Sequence, residues 1–193
     1  MLTLTLALER VPTPLGIMLL ANDEAGRLRV IDWEDHEQNM RRLLRLHYRA
    51  AEVQLRETQE ASAARRAVQA YFEGELNALE SLQVALGGTD FQRAVWTALR
   101  DIPVGTTISY LELARRIGRP GAVRAVGLAN GANPVSIVVP CHRVIGSNAK
   151  LVGYGGGMHR KQWLLAHEKA RIGVTPEGFD SRDLAPNLNL PGF

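Results

Sequence analysis

The chain holds a single cysteine, Cys141, which ends an apolar run and is followed directly by His142 and Arg143. A thiol attacks as the thiolate, and its pKa of about 8.5 must be lowered by a cation, a base or a helix N-terminus before it is reactive at neutral pH. His142 could supply that function, and Glu168, on a helix predicted over 159–169, could orient the imidazole. These residue types predict a nucleophilic site, and the alternative is a small buried cysteine beside two solvated basic residues.

The residues before the cysteine determine whether its neighbours can act together. Residues 135–139, VSIVV, predict a buried strand, and Pro140 ends it because proline has no N–H for a strand ladder. A strand continued beyond the proline would direct the side chains of Cys141 and His142 to opposite faces. The proline therefore predicts a bend at which both side chains can share one site.

The composition indicates a globular protein of one ordinary domain or two small ones, with 193 residues of which 46% are hydrophobic. No run approaches the roughly 18 apolar residues that a membrane helix needs, and the N-terminus lacks the pattern of a signal peptide. We therefore predict a cytoplasmic protein with no membrane partner. One cysteine can form neither an intramolecular disulfide nor a cysteine-based zinc site, and no metal or cofactor is predicted. The formal net charge of +3 comes from arginine-rich basic residues, which is compatible with phosphate contacts.

The N-terminal part of the chain predicts a small sheet. The first 34 residues read as a meander of three short strands, because apolar stretches are separated by the turn-forming clusters TPLG and DEAG. Apolar residues at helical spacing then predict helices over 36–48 and 61–72, which we expect to cover one face of the sheet. Residues 1–86 are therefore predicted to form an α/β supporting domain, a short antiparallel sheet with helices.

The pattern changes at LGGTD, residues 86–90, where glycines interrupt the helical spacing. Thr89 with Gln92 predicts a capping box and the start of a helix. We place the domain boundary here and predict a mostly α-helical C-terminal domain over 87–170. Residues 171–193, rich in Pro, Gly and Asn, form a tail.

Two short helices are predicted within the C-terminal domain. Ser109 and Glu112 match a second capping box, and Gly118 ends the helix that it opens. Pro120 can begin the next helix, GAVRAVGLA, residues 121–129. Two short helices joined by a glycine-containing turn are compatible with a helix-turn-helix or with an ordinary helical hairpin. The small side chains of the second helix would allow a close approach to another backbone.

The motif PCHRVIG at 140–146 carries a resemblance to a known family. Preceded by NPVSIVV and followed by GYGGG and KQWLLAHE, it closely resembles the active-site signature of the O6-alkylguanine-DNA alkyltransferases, also called methylated-DNA–protein-cysteine methyltransferases. The resemblance covers residues 89–168, and the N-terminal stretch TPLGIMLLANDEAGRLRVIDWED is similar to the front domain of bacterial members. It implies DNA repair by direct, irreversible transfer of an alkyl group from O6-alkylguanine, and from O4-alkylthymine, to Cys141.

The resemblance also implies a catalytic role for each residue near the cysteine. Cys141 would be both nucleophile and final acceptor, so that each molecule reacts once. His142 would act through a water as base for the thiol, and Glu168 would hold the imidazole. Asn133 would buttress this network and the turn around it. The hydroxyl of Tyr110 would donate a proton to the leaving guanine at its ring nitrogen.

A base pocket is implied in the same way. The backbone carbonyls of Cys141 and Val144 would accept from the exocyclic amine of guanine, and the amide of Gly155 would face O6. The glycine run, including Gly156, would let the backbone approach the flat base, with Tyr154 packed against it. Family members usually have a hydroxyl residue at position 155, so a glycine there predicts a roomier pocket.

Double-stranded DNA with O6-alkylguanine is the partner that the resemblance implies. A guanine inside a duplex cannot present O6 to a buried thiol, so the nucleotide must rotate out of the stack, at a cost of a few kcal/mol. Arg124, on the second helix of the helix-turn-helix, would enter the minor groove and replace the flipped base. Val123, Ala125 and Gly127 would let this helix approach the DNA closely, and Tyr110 would contact the DNA at the pocket.

Two other functions stay open at this point. Cys141, His142 and Glu168 could equally run acyl transfer through a thioester in a cysteine hydrolase, although the helix-turn-helix would then be unexplained. The second alternative is a damage sensor of the same fold that binds DNA without chemistry. Such alkyltransferase-like proteins usually have tryptophan in place of the cysteine. One chain with one thiol predicts a monomer.

Overall fold

The computed structural model describes residues 2–147 and 149–170, and its N-terminal half is a small sheet with helices. Residues 2–72 form β1 (Leu2–Thr13), β2 (Gly16–Asn22), β3 (Leu28–Trp33), a 3-10 turn (Glu34–His36), α1 (Glu37–His47), β4 (Ala51–Glu57) and α2 (Ala63–Phe72). The first three strands form the predicted antiparallel meander. The sequence analysis missed β4, which pairs parallel to β1 at the sheet edge. The sheet is therefore mixed rather than antiparallel, with the order β3-β2-β1-β4.

The sheet is covered on both faces, because successive side chains of a strand point to opposite sides. Leu19 of β2 lies in a small apolar cluster with Met40 of α1. Leu20, the next residue, lies in the larger core with Val68 and Tyr71 of α2. The expectation that both helices cover one face is therefore wrong, and α1 and α2 pack on opposite faces.

The C-terminal half, residues 90–147 and 149–170, is mainly helical. It contains α3 (Asp90–Arg100), β5 (Ile108–Ser109), α4 (Tyr110–Arg116), α5 (Val123–Gly131), a 3-10 turn (Cys141–Arg143), β6 (Val144–Ile145) and α6 (Met158–His167). β5 and β6 pair in parallel, and the larger core continues from the sheet into these helices. No helix within the described residues is long and apolar enough to span a membrane.

Side-chain caps define where α3 and α4 begin. Thr89 and Gln92 form the predicted capping box at the start of α3, each side chain bonding the backbone of the other. Ser109 caps α4 by accepting from the Glu112 N–H at 3.0 Å. The Glu112 carboxylate instead accepts from Arg116 Nε at 3.3 Å, so the second predicted box is formed on one side.

The turn between α4 and α5 follows from a left-handed residue. Gly118 has a φ of +68°, a conformation that favours glycine, and it ends α4 as predicted. The N–H of Ala122 then donates to the Arg119 carbonyl at 2.9 Å. Because this turn occupies the residues around Pro120, α5 begins at Val123, and the prediction that the proline starts the helix is wrong.

The segment before the cysteine is a turn, not the strand predicted over 135–139. The Ile31 N–H of β3 donates to the Pro134 carbonyl at 2.9 Å, and the Ser136 N–H donates to the Ile31 carbonyl at 3.1 Å. Ile137 then takes a φ of +62°, which reverses the chain and which a β-branched residue seldom adopts. The edge of the N-terminal sheet therefore holds the segment that leads into the cysteine.

Trp96 of α3 links the helices that carry the candidate site. Its indole N–H donates to the Ala129 carbonyl of α5 at 2.8 Å, and its side chain is fully buried. Trp96→Phe removes this bond and leaves a void, so we expect the free energy of unfolding, measured by chemical denaturation, to fall by about 2–4 kcal/mol. Trp163→Phe is the matched control, and because the Trp163 ring is only half-buried, this change should lower the free energy of unfolding less. Equal losses would contradict the anchoring role.

Candidate active site

Cys141 opens the 3-10 turn, Cys141–Arg143, directly after Pro140. Its N–H donates to the Val139 carbonyl at 2.8 Å, and the chain then enters β6, which pairs with β5. The cysteine is only 5% exposed. A bend therefore follows the proline, as predicted, and the turn rather than a continued strand directs the side chains of the cysteine and its neighbours.

Glu168, the residue that ends α6, is the centre of a buried hydrogen-bond network. Its Oε1 atom lies 2.9 Å from His142 Nε2 and accepts from Arg143 Nη2 at 2.9 Å. The same oxygen accepts from the Tyr71 hydroxyl at 2.8 Å, and Oε2 accepts from Arg143 Nε at 2.9 Å. The side chains of His142 and Glu168 are both fully buried. The arginine compensates the charge that the carboxylate would otherwise carry alone into the core.

The network fixes the protonation of its members. Burial would raise the pKa of the Glu168 carboxyl, but the contacts with His142 and Arg143 outweigh it and hold that pKa well below its usual range. Burial lowers the pKa of His142 below its ordinary value of 6.5; Glu168 opposes this effect, and Arg143 and Lys161 add to it. A neutral imidazole donates its Nε2 proton to the ionised carboxylate, so Nδ1 carries the lone pair. Nδ1 has no hydrogen-bond partner among the described residues.

The cysteine itself is held as a neutral thiol. Burial raises the pKa of Cys141 to about 11, against the lowering effects of the Asn133 side chain and the Lys161 charge. Two neighbours therefore lower this pKa, but the net pKa is raised rather than lowered in the protein without substrate, because the loss of water disfavours the thiolate more than these neighbours favour it. A base must take the proton as the sulfur attacks, and His142 Nδ1 offers a lone pair of that kind.

A cavity of about 260 Å³ opens beside the cysteine. It is lined by Tyr110, Gly127, Asn130, Gly131, Cys141, Gly153, Tyr154 and Gly155. The fold thus brings Cys141 together with Tyr110, Tyr154 and Gly155, which lie far apart in the sequence. No cluster of three or more His, Cys, Asp or Glu side chains suited to a metal ion occurs within residues 2–147 and 149–170.

Tyr110 and Asn130 form one wall of the cavity. Burial raises the pKa of the Tyr110 hydroxyl, the negative charge of a Cys141 thiolate would add to this, and a hydrogen bond with the Asn130 side chain opposes it. Asn130, near the end of α5, is only 5% exposed. The sequence analysis missed this residue, because no local pattern indicates that it lines the cavity. A Cβ on Gly127, one turn earlier, would lie 3.9 Å from the Tyr110 ring, so the two helices are in contact here.

The N-terminal half forms the outer side of the glycine loop. A Cβ on Gly156 would come within 2.6 Å of Trp33 Nε1, so only glycine fits there. Arg160 of α6 stacks on the Trp33 ring at 4.3 Å and donates to the Gly156 carbonyl at 2.9 Å. Gly156 thus lies behind the cavity lining rather than in it. A Cβ on Gly155 would find its nearest neighbour, the Gly131 carbonyl, at 3.9 Å, so there is room at that position.

Asn133 braces the turn that leads to the cysteine. Its Nδ2 atom donates to the Val139 carbonyl at 2.7 Å, and its Oδ1 atom accepts from the Val135 N–H at 3.0 Å. The side chain also forms a hydrogen bond that favours the thiolate of Cys141. Its contacts therefore join the turn to the sulfur.

Lys161 of α6 is a polar residue of the site that the sequence analysis missed. Its Nζ atom donates to the Val144 carbonyl at 2.6 Å and to the Val152 carbonyl at 2.9 Å. The residue is fully buried, and burial lowers its pKa to about 8. Val144, which does not line the cavity, thus has one lone pair of its carbonyl in use. The one signal in the sequence is the rarity of lysine, with three in the chain.

α5 borders both the cavity and the solvent. Arg124 and Ala125 are exposed, and Val123 and Gly127 are half-buried. Leu128 is 78% exposed, which is unusual for a large apolar side chain. Four of the five residues predicted to contact DNA therefore lie on one helix that reaches the rim of the cavity, and the fifth, Tyr110, lies on α4 and lines the cavity itself.

Comparison with known proteins identifies the family of the chain. The family profile described as 6-O-methylguanine DNA methyltransferase, DNA binding domain, matches residues 90–170. The methylated-DNA–protein-cysteine methyltransferase of Salmonella typhimurium is 51% identical over 160 residues, which cover 83% of this chain and 94% of that protein. A protein of the same name from Mycolicibacterium paratuberculosis is 58% identical over 111 residues, which cover 58% of this chain and 67% of that protein.

Solved structures resemble the whole arrangement of sheet and helices. Mycobacterium tuberculosis OGT in complex with DNA has a TM-score of 0.68 and 43% identity, and the match covers 84% of this chain and 92% of that one. The O6-methylguanine-DNA methyltransferase of the archaeon Pyrococcus kodakaraensis has a TM-score of 0.67 and 26% identity, with 84% and 98% covered. Because half of the residues are identical over nearly the full length of the Salmonella protein, the chain belongs to the family of methylated-DNA–protein-cysteine methyltransferases.

Proposed function

We propose that the protein repairs alkylated DNA by moving an alkyl group from O6-alkylguanine, and from O4-alkylthymine, to Cys141 in one irreversible step. The observation that carries this proposal is the cavity of about 260 Å³ that Cys141 shares with Tyr110, Tyr154 and Gly155. It is smaller than the pockets of about 300–1,000 Å³ that hold drug-sized ligands, which suits a single base. Each molecule reacts once, because the thioether that forms on the sulfur does not hydrolyse back to a thiol.

The transfer is a displacement at the alkyl carbon. The Cys141 thiol passes its proton through a water to His142 Nδ1, and the sulfur attacks the carbon bonded to O6. The S–C bond forms as the C–O6 bond breaks, and the electron pair of that bond leaves with guanine. The Tyr110 hydroxyl donates a proton to the ring nitrogen of guanine and regains one as the imidazolium loses its proton. Glu168 stabilises the imidazolium in between, and Asn133 holds the turn.

Backbone groups orient the base in this proposal. The carbonyls of Cys141 and Val144 accept from the exocyclic amine, and the amide of Gly155 donates to O6. Lys161 occupies one lone pair of the Val144 carbonyl and thereby fixes its direction, so the second lone pair serves the base. Tyr154 packs against the ring, with Gly156 behind it.

Duplex DNA binds along α4 and α5, which act as a helix-turn-helix. α5 enters the minor groove, where the small residues Val123, Ala125 and Gly127 permit close contact and Arg124 fills the place of the rotated nucleotide. The exposure of Arg124 and the proximity of Gly127 to the cavity support this arrangement. Binding is largely insensitive to sequence and weakens with salt, because phosphate contacts dominate.

The proposal divides the chain by task. Residues 1–86 support the site, and residues 87–170 bind DNA and accept the alkyl group. Residues 171–193, predicted as a tail, lie outside the described residues and receive no task. The cavity is complete within one chain, which supports a monomer. We place the protein in the cytoplasm, where a reducing environment keeps a lone thiol free.

Intact mass before and after incubation with DNA that contains O6-methylguanine tests the transfer. We expect a gain of one methyl group per molecule, located on Cys141 by peptide mapping, that saturates at one equivalent. Cys141→Ser should bind the DNA without gaining mass, because an alcohol is a far weaker nucleophile than a thiol. Continued product release from an unmodified protein would indicate a hydrolase, and binding with unchanged mass would indicate a damage sensor.

Arg124→Ala should separate base rotation from chemistry. If the arginine offsets part of the cost of unstacking, its loss slows repair of duplex DNA by roughly 10-fold or more. Reaction with the free base O6-benzylguanine should stay within about 2-fold of wild type, because no rotation is needed. Arg45→Ala, an exposed arginine of α1, is the control and should leave both rates unchanged. Equal losses on duplex and free base would argue against the role.

The pH dependence of the single-turnover rate follows from His142. The reactive form is the neutral imidazole, and burial holds the pKa of His142 below 6.5, so the rate should stay level at neutral pH and decline only at lower pH. The free base O6-benzylguanine is the substrate, so that DNA binding does not contribute. A midpoint above 6.5 would mean that the carboxylate of Glu168 outweighs burial and the charges of Arg143 and Lys161.

A further inference from the structure

Tyr71 lies on α2, in the half of the chain to which the proposed function gives only a supporting task, yet it contacts the catalytic network. Its hydroxyl donates to Glu168 Oε1 at 2.8 Å, although the two residues are 97 positions apart in the sequence. The side chain is completely buried. Burial raises the pKa of the Tyr71 hydroxyl, and the nearby charge of Glu168 raises it further. The hydroxyl therefore stays a donor throughout the range in which the protein works.

Tyr71 shares its acceptor atom with the proposed base. His142 Nε2 and Arg143 Nη2 both lie 2.9 Å from Glu168 Oε1, so one oxygen serves three donors. A carboxylate oxygen that accepts more hydrogen bonds holds less free charge and attracts the imidazole proton less strongly. Tyr71 weakens the attraction of Glu168 for the imidazole proton without adding a charge of its own. The positive charge that balances the carboxylate comes from Arg143.

A contact between α2 and α6 positions the Tyr71 hydroxyl. The Tyr71 ring packs edge-on against the rings of Phe72 and His167, with centroids 5.4 Å and 5.1 Å away. His167 Nε2, one residue before Glu168, lies 2.7 Å from the Tyr71 carbonyl. Ring and backbone of Tyr71 therefore both hold the end of α6, and the hydroxyl reaches the carboxylate in a defined direction.

We propose that Tyr71 is a positioning residue for alkyl transfer, whose hydroxyl orients the Glu168 carboxylate and limits the basicity of His142. The inference rests on the proposed function, because it requires His142 to act as the base. It gives the N-terminal half a part in the chemistry. The groups that face His142 are Glu168, Arg143 and Lys161, and those that face Glu168 are His142, Arg143 and Tyr71.

Tyr71→Phe tests the inference, because it removes the hydroxyl and keeps the ring. With one donor fewer, Glu168 stabilises the imidazolium more, so the acid midpoint of the single-turnover rate should rise by about half a pH unit. The rate at neutral pH should fall by about 2- to 10-fold as the carboxylate loses a fixed direction. Tyr48→Phe is the matched control, since the Tyr48 hydroxyl donates at 2.8 Å to the Ala85 carbonyl, away from the network. Its midpoint should equal that of wild type.

The outcomes separate this inference from the proposed function. If wild type gains no alkyl group, the proposed function fails. If wild type reacts and the Tyr71→Phe midpoint coincides with it, the inference alone is overturned, even where the rate is lower, because a packing defect would not move the midpoint.

A second measurement covers the case in which Tyr71→Phe does not fold. A tyrosine fluorinated on both sides of the hydroxyl, inserted at position 71, is a stronger donor of nearly the same shape. It should move the midpoint in the opposite direction, to lower pH. An unchanged or higher midpoint would overturn the inference.

Discussion

The buried carboxylate of Glu168 is the constraint on which the rest of the site depends. An ionised carboxylate in a protein interior costs several kcal/mol unless it is paired and hydrogen-bonded. Here Tyr71, His142 and Arg143 satisfy it, and they come from α2 and from the cysteine turn. Arg143 also donates to the Ile102 carbonyl at 2.6 Å, just beyond α3. Satisfying one charge therefore requires α2, α6, the end of α3 and the cysteine turn to meet at one point.

Burial also explains why the Cys141 thiol stays neutral in the protein without substrate. A thiolate reacts readily with oxidants and stray electrophiles, and such a reaction inactivates a protein that can react only once. Burial holds the pKa of Cys141 at about 11, so almost no thiolate exists without a substrate. In the proposed mechanism, the lone pair of His142 Nδ1 takes up the thiol proton when an alkyl carbon is in place. Protection of the thiol and its activation are thus compatible, because burial of Cys141 provides the first and the lone pair of His142 is proposed to provide the second.

The sequence predicts the features that depend on contiguous residues better than the contacts between residues that are far apart in the chain. The group around Cys141 follows from a contiguous motif, and the meander follows from apolar stretches separated by turn-forming clusters. Residues 135–139 mislead, because periodicity cannot distinguish a buried apolar turn from a buried strand. β4 does carry a strand pattern, because Ala51, Val53 and Leu55 alternate with polar residues, but the segment is only seven residues long and half-exposed at a sheet edge, and we did not recognise it. Tyr71 and Lys161 act through partners that only the tertiary fold brings near, so no local pattern could mark them.

The two halves of the chain share the site rather than dividing it. Ile31 of β3 forms hydrogen bonds with the turn before the cysteine. Trp33 and Arg160 enclose the glycine loop, and the Tyr71 hydroxyl donates to the Glu168 carboxylate. Each contact acts on a different part of the site: the turn that leads to Cys141, the wall of the cavity, and the carboxylate that binds His142. Most of these bonds are buried, and breaking one costs about 1–3 kcal/mol, because it leaves a polar group without water. The position of the Cys141 thiol relative to His142 is therefore set by the packing of the N-terminal sheet and α2 as much as by the motif itself.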